Sequence, residues 1–291
     1  MESKYGVRLL QGGPISPSTP DDFFQLPFVM LSIAKRCSGK TCSMTQFLHH
    51  LNGMGKLDRL ILISPTYENN KHYFQGLPLD PIDDVLEPTL GSAQIVMDKL
   101  AEEGREYDEY YEKLKKWRKL QKDLKGNKSI NSIDSELLLM FADDLAKKPE
   151  HRYGGRKPVI VAFWDDCQNT PAFSPKSKLS YLTIKHRHVG LTKDGAIGCN
   201  LMYACQNYTS NSGGIPRTVR GNVTILCVFQ NKNAKELQDI SSECSGECDA
   251  ATFFRLHKQA TSQDYGFLTI DFNRKKCHPS MFRSCWNRWL E

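Results

Sequence analysis

Residues 28–51 read FVMLSIAKRCSGKTCSMTQFLHHL, and this stretch decides the fold. Phe28 to Ile33 is a short apolar run of the kind that forms a buried strand. Ala34 to Thr41 is a turn. From Cys42 to Leu51 the apolar side chains Met44, Phe47, Leu48 and Leu51 recur at helical spacing. A second apolar run, Leu60 to Ile63, is closed by Ser64-Pro65 and predicts the next strand. Strand, turn, helix and strand in that order predict a parallel α/β sheet.

The turn carries chemistry. Ala34-x-x-x-x-Gly39-Lys40-Thr41 fits the phosphate-loop pattern G-x-x-x-x-G-K-[ST] except at its first position. In such a loop consecutive backbone N–H groups curl around phosphate oxygens, and the following helix points its positive end at the same anion. Gly39 lets the backbone come close, Lys40 would reach the β- and γ-phosphates, and the Thr41 hydroxyl would ligate Mg²⁺. The candidate ATP-binding residues are therefore Ala34, Lys35, Arg36, Cys37, Ser38, Gly39, Lys40, Thr41 and Cys42. Ala34 stands where glycine is usual. If that position needs a positive φ, alanine costs ~1 kcal/mol or more; otherwise it is harmless.

A phosphate loop needs a metal partner. The run Val159 to Trp164 ends in Asp165-Asp166, which places carboxylates at the carboxyl edge of the sheet, where the phosphate loop also sits. Asp165 would hold Mg²⁺, directly or through water, and Asp166 would act as general base or orient the attacking water. A further strand, Cys199 to Cys205, ends at Gln206-Asn207, an amide able to sense a γ-phosphate. Downstream, Ile215-Pro-Arg-Thr-Val-Arg-Gly-Asn222 precedes another apolar strand. Arg217 or Arg220 could stabilise transferring phosphoryl charge, in cis or from a neighbouring subunit, and Arg187 is a third contender.

These segments together resemble one family: a strand plus AKRCSGKT, then VIVAFWDD, then NLMYACQN, then IPRTVRGNVTILCVF. The chain resembles the genome-packaging ATPases of large double-stranded DNA viruses and their satellites, the poxvirus-type branch of the FtsK/HerA P-loop superfamily. The resemblance covers about residues 28–63 and 159–240. It implies Walker A roles for Lys40 and Thr41, the acidic pair at Asp165 and Asp166, the sensor at Gln206, and an arginine-and-asparagine element at Arg220 and Asn222. It also implies ATP and Mg²⁺ as cofactors, a homo-oligomeric ring, and sequence-nonspecific double-stranded DNA and capsid proteins as partners. The location it implies is the host cytoplasm, at the viral factory, or the virion.

The rest of the chain fills in around this core. With 291 residues, 40% hydrophobic and 25% charged, the composition is globular and excludes wholesale disorder. A net charge of +6 permits a polyanionic partner without demanding one. The longest apolar run near the middle is far short of the ~20 residues that span a bilayer, and the N-terminal residues lack a signal-peptide apolar stretch, so no membrane association or export is expected. Residues 1–27 read as an N-terminal extension and 28–271 as a P-loop ATPase domain. The charged segment at about 82–150 reads as a helical insertion, with Leu100, Tyr107, Tyr111, Leu114 and Leu120 as an intermittent apolar stripe; a solvated helix pair is the alternative. Residues 272–291 read as a basic aromatic tail that either contacts nucleic acid or docks its tryptophans on the core. Ten scattered cysteines are expected to be reduced. Cys244, Cys248, Cys277, His278 and Cys285 could assemble a zinc site, although no second tight cysteine pair supports one.

The expectation is an α/β P-loop NTPase core, a central, mainly parallel sheet flanked by helices, with a helical insertion, working as an ATP-driven DNA translocase. An ATP-binding switch or scaffold with little turnover, and a P-loop nucleoside or nucleotide kinase, are the alternatives.

Overall fold

The computed structural model describes residues 19–126, 134–142, 144–209 and 214–291. Within them the strands are β1 (Val29–Ile33), β2 (Arg59–Ile63), β3 (Val85–Leu86), β4 (Ile160–Asp165), β5 (Leu191–Thr192), β6 (Gly195–Ala196), β7 (Asn200–Cys205), β8 (Ile225–Phe229), β9 (Phe267–Asp271), β10 (Phe282–Ser284) and β11 (Arg288–Trp289). The helices are α1 (Lys40–Gly53), α2 (Tyr67–Asn70), α3 (Ser92–Lys125), α4 (Ser135–Met140), α5 (Leu179–Lys185), α6 (Arg217–Arg220), α7 (Ala234–Glu243) and α8 (Ala250–Ala260).

Nine strands form one sheet in the order β11-β10-β9-β8-β1-β7-β4-β2-β3, and β5 and β6 pair separately as a hairpin. From β8 to β3 all six neighbours run parallel. Beyond β8 the strands β9, β10 and β11 alternate antiparallel. This is the expected α/β class with a mainly parallel sheet. The apolar runs of the sequence are continuous because the sheet is covered on both faces. Leu31, Ile33, Ile61, Trp164, Tyr203 and Val228 face a layer built from α3, α5, α7 and α8. Met30, Leu60, Leu62, Phe163, Met202 and Cys227 face Met44, Phe47, Leu48 and Leu51 of α1. The alternation is strict because strand side chains point to opposite faces in turn.

The insertion is helical but begins as sheet: Val85–Leu86 adds the parallel edge strand β3 beside β2. The first half of α3 then packs on the core through Ala93, Val96 and Leu100. Arg59 of β2 donates to Asp84 at 2.7 Å and to Glu103 of α3 at 2.8 Å, so the helix is anchored by a buried ion cluster as well. Gly104 lets α3 touch the hairpin: a Cβ there would lie 2.6 Å from the Leu191 carbonyl oxygen. Farther out, Leu120 packs with Phe141 as a small separate cluster. Of the expected stripe, Leu100, Tyr107, Leu114 and Leu120 are buried and Tyr111 is exposed. Residues 127–133 and 143 of the insertion lie outside the described residues.

The C-terminal residues do not hang off the domain. They supply β10 and β11, and Trp286 packs against Phe24, Phe47 and Phe267 at ring separations of 6.4, 4.9 and 4.8 Å. The Arg283 guanidinium lies between the rings of Phe24 and Trp289. Trp286 and Arg283 of this segment are thus packed into the fold, while Arg274, Lys276 and Arg288 are exposed. Of the N-terminal extension, residues 1–18 lie outside the described residues, while Phe23, Phe24 and Leu26 are buried in the α1 face. Cys244 belongs to one face of the sheet and Cys285 packs against the other, and among the described residues no three or more His, Cys, Asp or Glu side chains cluster as a metal-binding set. No described helix is long and apolar enough to cross a membrane.

Candidate functional site

Three neighbouring strands of the sheet, β1, β7 and β4, end level with one another at its carboxyl edge. Ile33 pairs with Cys205, and Ala204 pairs with Asp165. Strands lie ~4.8 Å apart, so the end of β1 and the end of β4 are ~10 Å apart with β7 between them. Long side chains must bridge that gap, and they do. The Lys40 ammonium donates to Asp166 Oδ1 at 2.5 Å, and the Thr41 hydroxyl donates to Asp165 Oδ1 at 3.1 Å. Lysine, hydroxyl and both carboxylates therefore meet at one place, although 124 and 126 positions separate the partners.

The loop backbone explains how Lys40 gets there. Cys37 and Gly39 adopt left-handed conformations, with φ of +60° and +78°. Left-handed residues set among right-handed ones turn successive N–H groups toward a common anion. Gly39 is the N-cap of α1, whose first residues are Lys40 and Thr41, so both sit at the positive helix end. Ala34 is not among the positive-φ residues, so alanine carries no strain there. Its amide donates to the Cys205 carbonyl at 3.0 Å and fastens the loop to β7. The Lys35 side chain turns away from the cradle, and Arg36 is exposed.

Asp165 is fully buried. Desolvation, then the neighbouring Asp166 charge, push its carboxyl up to about 6, against the pull of Lys40 and of the Thr41 hydroxyl. Asp166 follows in a left-handed conformation, φ +51°, which ends the strand. A carboxylate with so little water around it is under-compensated. With the Thr41 hydroxyl it offers the hard oxygen donors that Mg²⁺ takes. The residues present fit the metal.

Gln206, at the tip of β7 between the ends of β1 and β4, is exposed. Its backbone is held by Gln168, from the loop after the acidic pair, a residue outside every motif of the sequence. Gln168 Oε1 accepts from the N–H groups of Gln206 and Asn207 at 2.8 and 2.9 Å, and its Nε2 donates to the Asn207 carbonyl at 2.8 Å. Lys35 ties in the same tip, donating to the Gln206 carbonyl, to Asn207 Oδ1 and to buried Glu236 of α7. Glu236 in turn accepts from the Tyr208 N–H at 2.7 Å. No linear motif announces Gln168 or Glu236. Both act on backbone groups that become neighbours only when the sheet assembles.

Arg217 and Arg220 lie elsewhere. They precede β8, whose start is level with the start of β1: the Thr224 N–H donates to the Val29 carbonyl. The five residues of β1 put the phosphate loop ~16 Å farther along. Arg220 is paired with Glu243 at 2.9 Å, donates to the Ile215 carbonyl, and lies over the Tyr208 ring. With Arg217, Tyr208, Leu226 and Phe272 it lines a cavity of about 560 Å³. Asn222 bonds the Thr218 carbonyl, and Arg187 neighbours His186, whose carbonyl accepts from the Cys199 N–H just before β7. Within one chain none of these four joins Lys40.

Among solved structures the chain is similar to the genome packaging NTPase B204 from Sulfolobus turreted icosahedral virus 2 in complex with ATP-γS, at 16% identity, 87% of this chain, 97% of that chain and a TM-score of 0.41. It is also similar to the cytoplasmic domain of the Thermomonospora curvata type VII secretion ATPase EccC, at 12% identity, 88% of this chain, 25% of that chain and a TM-score of 0.42. A third is the pCW3 conjugation coupling protein TcpA, monomer form with ATPγS, at 14% identity, 89% of this chain, 60% of that chain and a TM-score of 0.39. No family model matches the chain. No curated protein matches it.

Proposed function

We propose that the chain is an ATP-hydrolysing motor that moves double-stranded DNA into a viral capsid, a ring-forming packaging ATPase of the poxvirus-type branch of FtsK/HerA proteins. One observation carries the nucleotide part: Lys40, Thr41, Asp165 and Asp166 converge at one end of the sheet, beside a left-handed turn at a helix N-terminus. The DNA, ring and capsid parts rest on the sequence motifs and their resemblance.

In this reading the N–H groups of the loop bind the β- and γ-phosphates. Thr41 and Asp165 would hold Mg²⁺, which when bound offsets phosphate charge. Lys40 is shared between two anions. A phosphate that takes its ammonium breaks the pair with Asp166 and frees that carboxylate to accept a proton from water. Substrate binding thus arms its own base. Gln206 orients the water from the strand between. Arg217 and Arg220, which do not join Lys40 within one chain, serve a neighbouring subunit's phosphates in a ring. The backbone at Ala34 gives no reason to read the chain as a nucleotide switch with little turnover. The protein then acts in the host cytoplasm, at the viral factory, or travels in the virion.

Steady-state phosphate release with and without duplex DNA tests this. The wild-type chain is expected to hydrolyse ATP faster with DNA, and Lys40→Ala and Asp166→Asn to reduce turnover to background. Undiminished hydrolysis by either folded variant removes the mechanism. Hydrolysis indifferent to duplex DNA removes the motor and leaves the nucleotide site.

A further inference from the structure

We propose that the cleft between the phosphate loop and the loop entering β9 is a nucleobase subsite, with the Tyr265 ring as its stacking face. The inference rests on the nucleotide reading above and adds to it the part of the ligand that the phosphate cradle does not touch.

Tyr265 is left-handed, with φ +61°. For a bulky aromatic residue that is an outlier, and it persists only where the surroundings enforce it. Here they do. The next residue, Gly266, is pinned: a Cβ there would lie 2.4 Å from the Ala260 carbonyl oxygen, and its N–H donates to the Gln263 carbonyl at 3.0 Å. The loop is a fixed turn that presents a ring. The side chain is not spent on the core, because Tyr265 is 67% exposed.

The ring is presented to the phosphate loop. A Cβ at position 39 would meet Tyr265 Cδ1 at 2.9 Å, Cγ at 3.4 Å and Cβ at 3.5 Å. Only glycine at position 39 allows this approach, so the residue that opens the loop to phosphate also seats the ring beside it. Next to this contact is a cavity of about 300 Å³ whose wall includes Cys37, Ser38, Phe229, Gln230 and Gln263 with Tyr265. It combines an aromatic face with carboxamides, each able to donate and to accept. A base offers the complementary pair, a π-face and a hydrogen-bonding edge. The triphosphate attached to it is held by the adjoining loop.

Titration calorimetry with two ligands tests the subsite: Mg·ATP, and Mg·tripolyphosphate, which has the charge but no base. Wild type is expected to bind ATP more tightly than tripolyphosphate. Tyr265→Ala is expected to weaken ATP by about ten-fold or more, the scale of one base stacked on an aromatic ring. It should leave tripolyphosphate unchanged, and Tyr265→Phe should bind ATP as wild type does. Thermal denaturation confirms that each variant is folded. If Tyr265→Ala weakens both ligands equally, the ring acts on the phosphate loop and the subsite is overturned. If it weakens neither, or if wild type binds both ligands equally, the subsite is overturned while the phosphate site stands. A wild-type chain that binds neither ligand overturns both readings.

Discussion

Replacing Asp165 with asparagine should stabilise the protein while abolishing its activity. Asp165 is fully buried at the end of β4, and desolvation together with the Asp166 charge raises its carboxyl to about 6. An unfolded aspartate ionises near 3.9. At 1.36 kcal/mol for each factor of ten, the gap corresponds to about 3 kcal/mol. The sign follows from proton binding. Between about pH 4 and pH 6 the folded chain holds this proton and the unfolded chain has released it, so raising the pH across that window destabilises the fold. Above the window the penalty is complete and constant. Asparagine has the shape of the neutral form, and its carbonyl can still accept from the Thr41 hydroxyl. Asp165→Asn should therefore match wild type near pH 4 and exceed it by up to about 3 kcal/mol at pH 7–8. At this chain length that is about 5 °C in Tm. Urea denaturation of both proteins across pH 4–8, in chelator and without nucleotide, measures the difference. Asp271, also buried and raised to about 6, titrates in the same window, so the comparison between proteins isolates Asp165. A variant less stable than wild type at pH 8, or a difference that does not change with pH, would refute the reasoning.

Gln168→Ala should lower kcat for ATP hydrolysis by about ten-fold or more with little change in KM, because it frees the tip of β7 that carries Gln206 without touching the phosphate loop. Gln168→Glu, which keeps both acceptor bonds and loses the donor, should fall between; steady-state kinetics of the two variants distinguishes a positioning effect from general damage. Trp286→Ala should destabilise the protein by about 3 kcal/mol in urea denaturation, since the ring fills space against Phe24, Phe47 and Phe267. A change below about 1 kcal/mol would mean that the C-terminal strands add little to the fold.

The core was legible because its strands are buried on both faces. Sheets covered by helices on both sides write continuous apolar runs, and those runs marked β1, β2, β4, β7 and β8 to within two residues. The motifs at Lys40–Thr41 and Asp165–Asp166 were legible for a different reason: their residue types and order match a linear pattern, and the fold brings the two together. Two-residue strands such as β3 and β11 carry too few positions for a period to show. The C-terminal run of cations and aromatics gave no sign of sheet, because its stability comes from Arg283 packed between rings and from Trp286 seated on α1, contacts made across the whole chain. Gln168 and Glu236 were silent for a related reason. Gln168 bonds to backbone groups, which any residue type supplies, and Glu236 joins the Tyr208 N–H to the distant Lys35 side chain. The arginines were readable as candidates but not as to place. Only the assembled fold shows that Arg220 is taken up by Glu243, the Ile215 carbonyl and the Tyr208 ring rather than by the groups around Lys40.

The convergence of Lys40 with Asp165 and Asp166 on one triphosphate is tested most directly by a structure of the chain with Mg²⁺ and a non-hydrolysable ATP analogue. The account predicts phosphate density within the turn of residues 34–41, the Lys40 ammonium moved from Asp166 to that density, and the metal between Thr41 and Asp165. An analogue bound elsewhere, or bound with the Lys40–Asp166 pair still closed, would contradict it.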